Sequence, residues 1–198
     1  MSVTGPKGDT TIVEPTAAER TVARRAAESR ATVPHLELAV PAGDGSCVDT
    51  ACLIRACAHA LAQHPRVNAA YRDGHFELYS RVNIGLVLAL EQSYLIPTVF
   101  DADRKPVDEL KQEVARLREQ AVAGELSAPA FSGATFTVWN ASEHGLSQAS
   151  IPVVPPQAGG QRAGTVSLTL TCDHRILYGA QAAAFLTAVR QKHEQAAG

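Results

Sequence analysis

The chain has 198 residues, 45% hydrophobic and 19% charged, which allows one sizeable core or at most two small ones. Eighteen basic against 20 acidic side chains give a formal net charge of −2, so there is no overall basic field to attract nucleic acid. The longest apolar run, Ile84–Leu90, is far too short to span a bilayer, and Met1–Thr10 has no apolar signal-peptide core; a cytoplasmic protein without a membrane partner is expected.

Residues 1–13 are polar with Gly and Pro and read as a flexible N-terminal arm, followed by one domain over 14–198. A helix is predicted over 16–29, with Thr16 as N-cap and Glu19 three residues on as its capping-box partner. Its arginines 20, 24, 25 and 30 read as a solvated face. The alternation in His35–Val40 predicts a strand, and residues 41–46 a loop. A helix follows over 48–63, its apolar face built from Ala51, Leu53, Ile54, Cys57, Ala58 and Leu61, and Pro65 stops it. Asp73-Gly74 between Val67–Tyr71 and Phe76–Tyr79 signals a hairpin. Strands are predicted over 82–90 and 95–100, then an amphipathic helix over 106–123 with Pro at its first turn and Gly124 past its end. Strands over 135–139 and 165–171 flank a long Gly/Pro-rich passage, 151–164, and a last helix covers about 180–195. The sum is an α/β sandwich, a mixed sheet with flanking helices.

Cysteines 47, 52 and 57 recur every five residues, outside the Cys-x2-4-Cys spacing zinc prefers, and with Cys172 they read as reduced buried thiols; no metal site is expected.

Several segments stand in an order that resembles one family. These are Val33-Pro34-His35, His64-Pro65 with Asn68, and Val82-Asn83-Ile84-Gly85. They continue with Ile96-Pro97 through Asp101-Ala102-Asp103 to Lys105, Gly133-Ala134-Thr135-Phe136-Thr137-Val138, and Asp173-His174-Arg175 with Gly179. Over about residues 14–196 the chain is similar to the acyltransferase (lipoamide-dependent) component of 2-oxoacid dehydrogenase complexes. The resemblance implies a chloramphenicol-acetyltransferase-like fold and transfer of an acyl group between thiols: those of a dihydrolipoyl arm, coenzyme A or a carrier-protein phosphopantetheine. No permanently bound cofactor is implied.

A thiol with pKa near 8.5 needs a base at neutral pH, roughly the value of a free cysteine. The resemblance assigns that role to His174, with Asp173, Arg175 and Gly179 as motif support and Asp173–Arg175 as an ion pair bracing the turn. Trp139 falls where the family has the serine that donates to the oxyanion, and Tyr178 where it has a motif acid; Trp139, Asn140 and Tyr178 are the oxyanion or channel-lining candidates. Ser142, Ser147 and His144 could offer a substitute hydroxyl or base. Gln157–Gly164 stands where the family has an additional strand and hairpin. The family's site lies between subunits, so a homotrimer is expected, and the polar tail Lys192–Gly198 argues against larger cores. A lipoyl or acyl-carrier protein and a decarboxylating dehydrogenase are the implied partners, in a specialised biosynthetic pathway. The alternative is an inactive trimeric scaffold or interaction protein of the same descent.

Overall fold

The Thr16 hydroxyl accepts from the Glu19 amide while the Glu19 carboxylate accepts from the Thr16 amide, the reciprocal cap the sequence announces. From this cap runs α1 (Ala17–Thr32). Ahead of it lie β1 (Ser2–Gly5) and β2 (Gly8–Thr11). After it come β3 (His35–Pro41), α2 (Thr50–Gln63), β4 (Ala69–Arg72), β5 (His75–Leu78), β6 (Ile84–Leu86), β7 (Leu88–Ala89), β8 (Tyr94–Leu95) and β9 (Thr98–Val99). The chain ends with α3 (Val107–Ala123), β10 (Phe136–Asn140), β11 (Gly159–Ala163), β12 (Ser167–Asp173) and α4 (Gly179–Ala197). This computed structural model describes residues 2–6, 8–42, 49–91, 93–147, 149, 152–164 and 167–197.

Six strands form one mixed sheet in the order β3-β12-β11-β10-β6-β9. β10 lies parallel to β11 and β6, and the other three pairings are antiparallel. α2 packs against α3 and α4, and α4 against β3 and β12. The core between them holds Leu53, Ile54 and Leu61 of α2, Phe185 and Val189 of α4, and Phe136, Leu168 and Leu170 of the sheet, all at most 1% exposed. Phe136 and Phe185 meet edge to face at 5.6 Å. The layered α/β sandwich expected from the pattern is the architecture found. α1 stands apart from it, with Ser29 its one buried residue. Its C-terminal end is tied down by the Ser29 hydroxyl, which donates to the Val153 carbonyl, while His35 Nε2 accepts from the Val153 amide at 3.1 Å.

Residues 2–5 and 8–11, inside the expected flexible arm, form β1 and β2, which pair antiparallel with Gly8 at φ +84°. Three local expectations need correction. The strand over 82–90 divides at Val87, whose amide still donates to Val138 O of β10 at 2.9 Å; β6 pairs with β9 and β10, and β7 pairs separately with β8. The strand over 95–100 breaks at Pro97, which has no N–H to donate. The passage over 151–164 contains β11, which sits near the centre of the sheet. A Cβ on Gly159 would lie 3.1 Å from Thr171 O and 3.3 Å from Cys172 Cβ, so close strand approach requires glycine there, and glycine erases the strand signal. Cys47, most of the 41–46 loop, the start of the second helix at 48 and the strand start at 165 lie outside the described residues.

Candidate active site

Between β12 and α4 the chain turns sharply. The amides of Ile176 and Leu177 both donate to Asp173 O at 3.0 Å. The Asp173 carboxylate is 2% exposed and accepts from the Arg175 amide at 2.9 Å and from its guanidinium at 2.6–3.2 Å. That bidentate, charge-assisted pair is the brace the motif suggests. It raises the Arg175 pKa, mainly through the Asp173 hydrogen bond. On its other side the Arg175 guanidinium lies over the Tyr71 ring at 4.6 Å.

His174 projects from this turn and is exposed. Its amide donates to Pro34 O at 2.8 Å, and its Nδ1 lies 3.0 Å from Leu177 O. A carbonyl oxygen only accepts, so Nδ1 carries the proton and Nε2 keeps a lone pair. Among the described residues nothing engages Nε2. Tyr178, 53% exposed, stands edge to face with His174 at 5.9 Å. A Cβ at Gly179 would meet nothing within 4 Å, so that glycine answers no steric need inside the chain. The neighbouring Cys172 is no rival nucleophile: burial, aided by the Asp173 charge, pushes its thiol up to about 12.

Trp139 lies at the far end of the sheet, near the end of β10, with its indole N–H buried and without a partner among the described residues. Its ring borders an apolar cavity of about 650 Å³ between α1, β7–β8 and the segment at 152–154; Val22, Ala26, Leu95 and Phe131 also face it, with Arg25 as the one charged lining group. Asn140 does not line this cavity. Strand alternation turns it to the opposite face from Trp139, where its amide donates to Thr50 Oγ1 at 2.9 Å and to Glu143 Oε1 at 3.3 Å. Ser142 is buried and donates to Asn140 Oδ1 at 2.6 Å, so its hydroxyl is occupied. Glu143 in turn pairs with Arg118 of α3 at 2.5 Å. His144 is exposed, its ring 6.3 Å from Trp139.

The structure therefore brings Asp173, His174, Arg175, Tyr178 and Gly179 together and leaves Trp139 elsewhere. Gly159 pairs with Cys172, and Gly160 with Thr137, so Cys172 and Phe136 lie level across the sheet. His174 is two residues beyond that level in one direction and Trp139 three in the other, with β11 between; this is roughly 17 Å along the strands and about 10 Å across them. One chain cannot place both against one acyl group.

The remaining motif residues are structural. Asn83 donates to Gly133 O at 2.9 Å and accepts from the Asp101 amide at 3.0 Å, and Thr135 Oγ1 accepts from the Asn83 amide at 3.1 Å. A Cβ on Gly85 would sit 2.9 Å from Ile96 Cγ2, between β8 and β9, and 3.4 Å from Thr137 Oγ1 of β10. Arg66, Tyr71 and Phe76, which contact the His174 turn or its neighbours, carry no signal in the sequence that would have singled them out.

The family model for 2-oxoacid dehydrogenases acyltransferase (catalytic domain) matches residues 44–160 and 152–197. The chain is 27% identical over 206 residues to the dihydrolipoyllysine-residue acetyltransferase component of the pyruvate dehydrogenase complex of Rickettsia bellii (strain RML369-C), covering 86% of this chain and 49% of that one. It is 28% identical over 228 residues to mitochondrial component 2 of the same name from Arabidopsis thaliana, covering 93% and 42%. The chain thus spans about half, or less, of the length of these curated relatives. Among solved structures it superposes on a probable dihydrolipoamide acetyltransferase of Listeria monocytogenes 4b F2365 with a TM-score of 0.88 at 23% identity, covering 94% and 95% of the two chains. A chloramphenicol acetyltransferase gives 0.59 at 15%, covering 97% and 99%. These two likenesses establish the fold.

Proposed function

The chain belongs to the 2-oxoacid dehydrogenase acyltransferase (catalytic domain) family, and on that premise we propose that it moves an acyl group between two thiol carriers with His174 as general base. The observation that carries this reading is the tautomer: Leu177 O holds the His174 proton on Nδ1 and leaves Nε2 unengaged. Nε2 takes the proton of the attacking thiol. The thiolate adds to the thioester carbonyl, a new C–S bond forms, and the tetrahedral intermediate carries an oxyanion. Collapse breaks the original C–S bond, and His174 returns its proton to the departing thiolate. The Trp139 indole, whose N–H has no partner among the described residues, is the donor candidate for the oxyanion.

Coenzyme A, a lipoyl arm and a carrier-protein phosphopantetheine end in the same chemical group, so each is a co-substrate candidate. A decarboxylating dehydrogenase is the class of enzyme that would load such a carrier, and a cytoplasmic, specialised pathway is the proposed setting. The separation of His174 from Trp139 supports a site completed by a second copy, hence a homotrimer. Thioester exchange between acyl-coenzyme A and a dihydrolipoyl or pantetheine thiol tests the chemistry. His174→Ala is expected to lose roughly 10²–10⁴ in rate. Equal rates in variant and wild type, both at the level of buffer, would remove the enzyme. Light scattering at micromolar concentration tests the assembly, and a monomer would contradict a shared site.

A second reading, a scaffold without activity, draws on Trp139 itself: its ring borders the cavity where the family pattern has a serine. A structure with a pantetheine analogue separates the two, since the scaffold requires the indole to occupy the thiol path.

A further inference from the structure

We propose that the hairpin of β4 and β5 positions His174, through Arg66, Tyr71 and Phe76. The proposal rests on His174 being the base and adds three residues that no motif marks. Their geometry forms a chain of contacts that returns to the turn at both of its ends. Arg175, held by Asp173 at one end of the turn, lies over the face of Tyr71 at 4.6 Å. Tyr71 and Phe76 are cross-strand partners with ring centroids 6.0 Å apart. The Arg66 guanidinium lies over Phe76 at 4.7 Å, and its Nη2 reaches Ile176 O at 3.4 Å, near the other end of the turn.

His174 sits between Asp173, which holds Arg175, and Ile176, whose carbonyl Arg66 reaches. The Ile176 carbonyl that Arg66 touches belongs to the peptide just before Leu177, whose own carbonyl fixes the His174 proton on Nδ1. A shift of that peptide turns Leu177 O away from Nδ1. The proton can then exchange between the two ring nitrogens, and Nε2 is blocked for part of the time. The aromatic pair thus sets the aim of a carbonyl two residues removed from anything it touches.

A purely structural account treats Phe76 as surface packing, but its ring is 42% exposed and its contacts run to Tyr71 and Arg66. Its position between Tyr71 and Arg66 is what the proposal needs. Leu78, 53% exposed on the same strand and outside the stack, serves as the matched control.

The experiment uses the full chain with Tyr71→Leu, Phe76→Ala, Tyr71→Phe and Leu78→Ala. Imidazole ¹⁵N shifts of His174 report its tautomer, and thioester-exchange kinetics report kcat and KM. Wild type, Tyr71→Phe and Leu78→Ala are expected to hold the Nδ1-protonated form. Tyr71→Leu and Phe76→Ala are expected to show averaged tautomers and a kcat lower by roughly 10–100-fold with KM within about twofold, the pattern of a misaimed group. Wild-type tautomer ratios in both of the latter variants overturn the proposal, as does an unchanged kcat. Exchange that survives His174→Ala removes the base assignment instead, and the tautomer measurement then decides the positioning claim alone.

Discussion

Past the last residue of β12 the chain holds a histidine in a densely hydrogen-bonded turn; near the end of β10 it holds an indole over an apolar cavity, its N–H unpaired among the described residues. The first region is fixed by a buried carboxylate, a bidentate arginine and two aromatic rings. The second is walled on one side by α1, a helix that buries Ser29 alone. One end offers what proton transfer demands, a fixed nitrogen and a fixed tautomer. The other offers room and few polar groups, which suits an acyl chain. The two lie on opposite sides of the sheet's midline, and that separation is what supports the proposal of a site completed by a second copy.

The contrast breaks most sharply at Trp139. If its end of the sheet is the acyl side of the site and its indole N–H the oxyanion donor, Trp139→Phe removes that N–H and leaves an aromatic ring over the cavity. Thioester exchange is then expected to fall by roughly 10²–10³-fold, what one oxyanion donor is typically worth. An unchanged rate would mean that the indole N–H does not serve the oxyanion, or that the cavity is not on the reaction path. The companion His174→Ala variant fixes the floor for this comparison.

The braced end should answer in stability. Asp173→Asn removes the charge that accepts four hydrogen bonds from Arg175 while leaving the shape intact. The Arg175 side chain is 34% exposed, so water compensates part of the loss. A decrease of about 2 kcal/mol in urea unfolding is expected. A change below about 0.5 kcal/mol, the level of an ordinary surface substitution, would show that the turn does not depend on the pair.

What could be read without coordinates follows from range. Thr16 with Glu19, Gly124 at φ +71°, and Asp73-Gly74 with φ of +48° and +81° obey rules that act within four residues, and each does in space what its pattern implies. The Asp173–Arg175 brace is legible for the same reason. β11 is not, because Gly159 and Gly160 answer to neighbours on other strands and carry no alternation of their own. Asn140 misleads because adjacency in a strand means opposite faces. The Arg66 contact to Ile176 spans 110 residues, and no local rule reaches that far.

The smallest expected effect tests a tether of the helix that walls the cavity. His35 accepts the Val153 amide through Nε2, and its pKa is held below that of a free imidazole, first by burial and next by the Arg30 charge; Glu37 and Asp173 oppose this more weakly. Burial likewise lowers His193 and His59. In the unfolded chain these rings take up protons near pH 6.5, roughly the ordinary value, while the folded chain resists them until lower pH. The unfolded state therefore binds more protons in that window. Stability is full above it and falls as pH drops from about 6.5 toward the depressed folded values. The urea midpoint is expected to be lower at pH 5.5 than at pH 8, and His35→Gln, which keeps an acceptor but cannot take a proton, should lose less. Protonated His35 would also release Val153 and with it the C-terminal end of α1. Amide exchange in α1 should therefore accelerate over the same pH range once corrected for intrinsic rates, while α2, packed on both α3 and α4, stays protected. Equal acceleration in both helices would mean that α1 is no looser than the body, and the contrast between the two ends of the sheet would fall with it.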